Sequence, residues 1–208
     1  MSLKGLYLIT DKKLSPYENI ENYLIPALEN GVKIVQFRDK ESGEEELLRV
    51  SLKIKELCKK YNALFLINDF VDLAKEIDAG GVHIGKDDEE CTLARRVLGK
   101  NKIIGVSCYG DVFRAKEFEH RGASYVAFGA FFASPTKPNA PTISINTLQS
   151  AKKLLKIPIC AIGGITLENA PLLKNAGADM VAVISDILTA ENIANRAKKY
   201  KEIFDGSL

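Results

Sequence analysis

The segment Ile34-Val35-Gln36-Phe37-Arg38-Asp39-Lys40 begins as a run of β-branched residues and ends in polar groups. Side chains alternate along a strand, so Gln36, Arg38 and, where the chain stays extended, Lys40 share one side. Val35 and Phe37 face the other, toward an apolar layer. Two cations and an amide therefore leave one strand end together. Such a strand end reads either as a solvated rim or as an anion site, with Arg38 as a planar fork and Lys40 as a point charge. Its neighbours have to decide between the two.

Outward from this segment the same unit recurs. Apolar runs at 5–10 (GLYLIT), 33–38, 63–68 (ALFLIN), 81–85 (GVHIG), 103–108 (IIGVSC), 125–129 (YVAFG), 158–162 (PICAI) and 180–185 (MVAVIS) predict eight strands. Between and after them, helical spacing predicts helices near 20–28, 47–57, 71–79, 92–98, 112–121, 146–155, 166–175 and 191–204, with Asn30-Gly31 closing the first and Thr166 capping the seventh. Glu44-Glu45-Glu46 reads as a solvated first helical turn. The strands are continuous apolar runs rather than alternating ones, as expected of parallel strands buried on both faces. Eight βα units without a linker or repeat array specify a single (β/α)8 TIM barrel, one α/β catalytic domain over residues 1–208, rather than a doubly wound sheet. At 208 residues the connections must be short. The exception is 134–142, which carries Pro135, Pro138 and Pro141 and is expected to act as a lid.

Composition narrows the function classes. A net charge of +2 predicts neither nucleic-acid nor membrane partners, so any anion site must be local. Cys58, Cys91, Cys108 and Cys160 are widely spaced without a C-x-x-C pair, which predicts buried free thiols in a reducing, cytoplasmic setting. With only His83 and His120 as further soft ligands, a zinc site is not expected. No signal peptide is expected from the first residues, and no apolar run is long enough to span a bilayer. Homodimer formation is left open by the sequence.

A barrel places its active site at the carboxyl ends of its strands. The polar residues fall there. Arg38, Lys40 and Lys137 supply cations, and Asn68 and Ser107 neutral donors, for an anion with more than one phosphate. Asp69 and Asp88 end neighbouring strands and read equally as magnesium ligands or as helix caps. Gly163-Gly164, with Ile184-Ser185, reads as a backbone cradle for a monophosphate between the loops after strands seven and eight. His83 is expected as a hydrogen-bonded core residue and His120 as a surface residue. Tyr109 reads as a ligand contact or a cover for the rim. No nucleophile–histidine arrangement, G-x-x-x-x-G-K-[ST] loop or G-x-G-x-x-G motif is present.

VQFRDK at 35–40, LINDFVDLA at 66–74, GVHIGKDD at 81–88, GVSC at 105–108, YVAFGAFFASPTK at 125–137, AIGGIT at 161–166 and GADMVAVIS at 177–185 together resemble the thiamine-phosphate synthase family over essentially the whole chain. The resemblance implies a magnesium-dependent transferase (EC 2.5.1.3) of thiamine biosynthesis. It would join hydroxymethylpyrimidine diphosphate to a thiazole phosphate, giving thiamine phosphate and diphosphate. It implies that Gln36 touches the pyrimidine and that Arg38, Lys40, Asn68, Ser107 and Lys137 hold the diphosphate. Arg38, Lys40, Lys137 and Ser107 would thus be the catalytic groups. It also implies magnesium at Asp69 and Asp88, Ser134 and Thr136 beside the substrates, and thiazole phosphate at Gly164, Ile184 and Ser185. On this view Asp39 points away from the site.

The chain departs from the family's common pattern at Lys86, Tyr109, Ala133 and Ser134, where Gln, His, Pro and Thr are frequent. Two rival functions share the barrel. A thiazole tautomerase needs an acid/base group, which the resemblance places at Tyr109; a phenol, ionising near pH ~10, replaces it poorly. A non-catalytic thiamine-phosphate-binding protein would have no use for the diphosphate set, which is intact.

Overall fold

A computed structural model describes residues 3–85, 88–134 and 139–206, with the backbone alone at 88 and 89. Eight parallel strands close into a barrel in chain order: β1 (Gly5–Ile9), β2 (Ile34–Phe37), β3 (Leu64–Asn68), β4 (Gly81–Ile84), β5 (Ile103–Tyr109), β6 (Tyr125–Phe128), β7 (Ile159–Ile162) and β8 (Met180–Val183). The last strand pairs with the first through Gly5–Met180 and Tyr7–Ala182, so no sheet edge remains among the described residues. Closure removes the unpaired backbone groups that an open sheet would present.

Strand periodicity sorts the side chains into two cores. Val35, Phe37, Phe65, Ile67, Val126 and Phe128 face outward and pack with helix residues such as Leu24, Ile54 and Phe118. Each fully buried side chain of this kind contributes on the order of 1.5–3 kcal/mol. Tyr7, Ile34, Leu66, Tyr125, Cys160 and Met180 face inward and fill the barrel. Gly105 belongs to this inner layer. A Cβ there would collide with the Tyr125 ring, so the missing side chain on β5 is what admits the phenol on β6.

The helices form the outer ring: α1 (Glu21–Glu29), α2 (Glu44–Lys60), α3 (Val71–Glu76), α4 (Asp88–Leu98), α5 (Val112–His120), α6 (Asn146–Leu154), α7 (Ala170–Asn175), α8 (Ser185–Leu188) and α9 (Ile193–Asp205). Three glutamates open α2 and Lys59-Lys60 close it, in the sense that suits the helix dipole. Several boundaries differ from the sequence reading. α2 starts at Glu44 and α4 at Asp88, because acidic first turns carry no apolar period to read. Thr166 does not cap α7. Asn169 holds that position, and its side chain is turned back to accept from the Thr166 N–H at 2.9 Å. Residues 185–188 form the short extra helix α8, separate from α9. All four cysteines are free and buried, as the spacing led one to expect, and no described helix is long and apolar enough to cross a membrane.

Candidate active site

Two cavities meet at the carboxyl ends of the strands. The inner one, about 210 Å³, lies over the barrel axis and is lined by Gln36, Asn68, His83 and Ser107 among Ile9, Ala127, Ile162 and Ile184. The outer one, about 790 Å³, opens beside it and is lined by Lys12, Lys13, Arg38, Lys40, Gly164 and Ser185. Arg38 borders both. Gly163 and Ile184 face the inner cavity, and the next residues, Gly164 and Ser185, face the outer one.

The floor of the inner cavity is a continuous hydrogen-bonded row. Gln36 Nε2 donates to Tyr7 Oη at 2.5 Å. Tyr7 Oη and Tyr125 Oη are 2.9 Å apart. Tyr125 Oη lies 2.8 Å from His83 Nδ1, and His83 Nε2 lies 2.9 Å from Ser107 Oγ. The two phenols are almost wholly buried, and burial is the main cause that raises both pKa values; their mutual contact opposes it at Tyr7 and adds to it at Tyr125. They remain neutral hydroxyls that can give and accept one bond each way. One group here is left over: Asn68 Nδ2 is buried without a partner. A buried donor that nothing satisfies costs about 1–3 kcal/mol, and this one is at the mouth, where a ligand oxygen can take it up.

The outer basin is held by its second rank of residues. Thr10, at the end of β1, accepts from the Arg38 N–H at 3.1 Å, fixing where the guanidinium starts. Asp39 accepts from Tyr17 Oη at 2.6 Å and from the backbone N–H groups of Glu41 and Ser42 at 2.8 and 3.1 Å. Burial pushes its carboxyl up, but the bonds from Ser42, Tyr17 and the backbone outweigh it and hold the pKa at about 2. Lys12 Nζ bonds Glu46 at 3.0 Å and Ser42 at 2.6 Å, tying the loop after β1 to α2. On the far side, Asn169 Nδ2 donates to the Gly164 carbonyl at 2.9 Å. Gly164 itself has φ +61°, and a Cβ there would run into the carbonyls of Phe132 and Ala133. α8 is pinned from α9: Tyr200 Oη donates to Asp186 at 2.7 Å and Arg196 lies 3.3 Å from it.

Most of the expected site residues come together. Gln36, Arg38, Asn68, Ser107, Ser134 and Ile184 line the inner cavity, and Arg38, Lys40, Gly164 and Ser185 the outer. Asp69 is not a helix cap. The residue before α3 is Phe70, and α3 has no side-chain cap. Asp69 instead sits at φ +62°, its N–H bonded to the His83 carbonyl at 2.9 Å and its carboxylate 2.9 Å from Lys40 Nζ. Both partners of that pair are roughly half exposed, so the pair itself is worth little, about 0–1 kcal/mol. Lys86, Thr136 and Lys137 lie outside the described residues, as does the side chain of Asp88.

Three expectations need correction or extension. Asp39 does point off the strand's polar side, yet it borders the outer basin and braces the turn that carries Lys40. His83 is hydrogen-bonded at both ring nitrogens, as expected of a core residue, but it also lines the inner cavity. Tyr109, 54% exposed, stands at the rim of the same cavity. Tyr7 and Tyr125 were missed because a tyrosine in an apolar run counts as core. The available signal was their inward phase, shared with Gln36 and His83 and facing the gap at Gly105.

The protein-family model for thiamine monophosphate synthase matches residues 6–187. The thiamine-phosphate synthase of Nitrosococcus oceani is 43% identical over 203 residues, spanning 98% of this chain and 94% of that one. That of Nitrosomonas eutropha is 44% identical over 207 residues, spanning 98% and 96%. Among solved structures, thiamine phosphate pyrophosphorylase from Pyrococcus furiosus superposes with a TM-score of 0.87 at 33% identity, covering 98% of this chain and 96% of that one. With a closed eight-stranded barrel, a two-chambered mouth and relatives of this similarity over nearly its full length, the chain belongs to the thiamine monophosphate synthase family.

Proposed function

We propose that this protein is a thiamine-phosphate synthase that transfers the aminopyrimidine-methyl group of hydroxymethylpyrimidine diphosphate to the ring nitrogen of a thiazole phosphate. The observation that carries this reading is the division of the mouth at Arg38. A flat heteroaromatic ring suits the small inner chamber with its apolar walls and the Gln36 amide. The charged basin outside suits a phosphorylated acceptor at Gly164 and Ser185. Between them, Arg38, Lys40, Ser107 and the unpartnered Asn68 amide would take the diphosphate. Lys137, Thr136 and Ser134 are assigned beside them from the sequence.

In the reaction the bond from the methylene carbon to the diphosphate oxygen breaks, and the electron pair leaves with the diphosphate. The thiazole nitrogen then supplies the pair for the new carbon–nitrogen bond. No proton need be removed, so no strong base is required. What the protein must supply is positive potential at the departing oxygens, where one preorganised donor is commonly worth about 10²–10³ in rate. It must also keep the two rings in contact.

Magnesium fits the donor set at Asp69. Its carboxylate is exposed at the rim and serves no helix, and one or two carboxylates with substrate oxygens are how this ion is usually held. Asp88 is the second ligand assigned from the sequence. When bound, the ion supplies charge that stabilises the leaving diphosphate. The Lys40–Asp69 pair holds the cation and the carboxylate side by side before either has a ligand.

The test is to mix the purified protein with both substrates and magnesium, oxidise the product and read thiochrome fluorescence. Signal comparable with that of an authentic synthase is expected. Its absence under the same conditions sinks the proposal.

A further inference from the structure

The row Gln36–Tyr7–Tyr125–His83–Ser107 crosses the barrel by four hydrogen bonds. Each phenol carries one proton, and a neutral imidazole carries one N–H. Only two proton orders give every bond one proton and leave neither buried phenol proton without an acceptor. In the first, Gln36 Nε2 donates to Tyr7, Tyr7 to Tyr125, and Tyr125 to His83 Nδ1. The ring proton is then on Nε2 and goes to Ser107 Oγ, leaving the Ser107 proton free for the cavity. In the second, the Gln36 amide is reversed and so is every bond; Ser107 spends its proton on His83 and offers the cavity only lone pairs.

We propose that the row is a proton-ordered relay, fixed in the first order, in which Tyr7, Tyr125 and His83 are positioning residues that make Gln36 an acceptor and Ser107 a donor toward the same ligand. The surroundings of Ser107 select that order. Arg38 and the unpartnered Asn68 Nδ2 border the same cavity and can only donate, so the ligand atom there is an oxygen rich in lone pairs. At the other end the Gln36 amide is turned with Nε2 on Tyr7, and in this order its Oε1 is the acceptor that remains for the cavity. The row therefore reads two ends of one molecule at once: an N–H on an aromatic ring at Gln36 and an anionic oxygen at Ser107. A ring bearing an oxo group in place of the amino group would need the reversed amide, and the reversal would withdraw the donor from the anion about one barrel diameter away. Desolvated rows of this kind hold their order because a defect leaves a buried polar group unmatched. Gly105 belongs to the device, since a side chain there would expel the Tyr125 ring.

The substrate half of this inference rests on the proposed synthase reaction; the proton order does not. The order is read by nitrogen NMR of protein carrying isotopically labelled histidine, without substrate, the His120→Gln variant assigning the two rings. His83 is expected as the Nε2–H tautomer, and an Nδ1–H tautomer overturns the proposal. Gln36→Glu places an acceptor at the head of the row and is expected to move His83, three residues along the relay, to the Nδ1–H tautomer. An unchanged tautomer means that Gln36 does not set the order and equally overturns it. Should that variant not fold, Gln36→Met is expected to give a mixture of tautomers, and a single Nε2–H form would be the contrary result. Tyr125→Phe cuts the row without touching either end. We expect kcat to fall about 10-fold, the worth of one such bond, with KM for thiazole phosphate unchanged and the preference for the amino over the oxo substrate reduced. An unchanged preference would confine the tyrosine to packing. A protein that makes no thiochrome but shows the expected tautomers would refute the synthase reading and leave the relay standing.

Discussion

The inner chamber and the outer basin share Arg38 but are built on different principles. The inner one has a floor of strand residues whose rotamers are locked by the barrel and by one row of hydrogen bonds. The outer one is made of loop residues steadied by single side chains behind them: Asp39 under the turn of Lys40, Asn169 under Gly164, and Tyr200 under α8. Recognition of a flat ring needs the first kind of construction, because a misplacement of about 1 Å loses the alignment that speeds the reaction. Charge stabilisation tolerates the second, because cations on flexible stems adjust to an anion.

This contrast can be broken or sharpened by substitution. The largest effect is expected at the residue the chambers share. Arg38→Ala should lower kcat/KM about 10³-fold, in line with the loss of a preorganised cation, with thermal stability nearly unchanged in a melting curve; a loss under about 10-fold would remove Arg38 from the leaving-group site. Next comes the fold of the inner chamber. Gly105→Ala should destabilise the protein by about 2–3 kcal/mol in urea unfolding, because the Tyr125 ring has nowhere to move in a packed barrel; a neutral result would show that the inner layer is loosely filled.

Asp39→Asn tests the outer construction. The Asp39 carboxyl titrates at about 2 when folded, below its ordinary value near 3.8. A depressed carboxyl contributes stability that is present above its unfolded pKa and lost as pH falls through the folded one. The variant should therefore be about 2 kcal/mol less stable than the parent at neutral pH, and the difference should shrink from about pH 4 downward and vanish below 2. A difference independent of pH would assign the effect to packing. Smallest of all is Lys12→Ala. Its exposed, solvent-screened pair with Glu46 should leave the urea unfolding midpoint almost unmoved, and any activity loss should diminish as salt is raised.

The same contrast explains what the sequence made legible. The eight strands could be read because a strand buried on both faces is a continuous apolar run, and the barrel followed from their number. Gln36, Arg38, Asn68 and Ser107 were found because they interrupt or end such runs. Tyr7 and Tyr125 were not, because whether a tyrosine hydroxyl is a passive tip or a relay depends on the residue across the sheet. That information lies in the register, for example Gly105 against Tyr125. Asp39 was misjudged for a related reason. Alternation shows which way a side chain leaves a strand, not that Tyr17 from a preceding turn waits there to bond it. Thr166 had the composition of a cap, yet Asn169 was three residues nearer the helix, and only the turn geometry at Gly164 separates them.

The buried thiols carry a practical consequence. Cys58, Cys91, Cys108 and Cys160 are all sealed in the core, and burial pushes the Cys58 and Cys108 thiols up to about 12. Because thiolates, not thiols, react with alkylating probes, the native fold has no ready attachment point of its own. A single cysteine introduced at exposed Asn139, next to Ala140, which borders the inner cavity, would be labelled alone. The protein would then carry one fluorophore beside its own binding chamber, a built-in optical reporter of ligand arrival with no background to subtract.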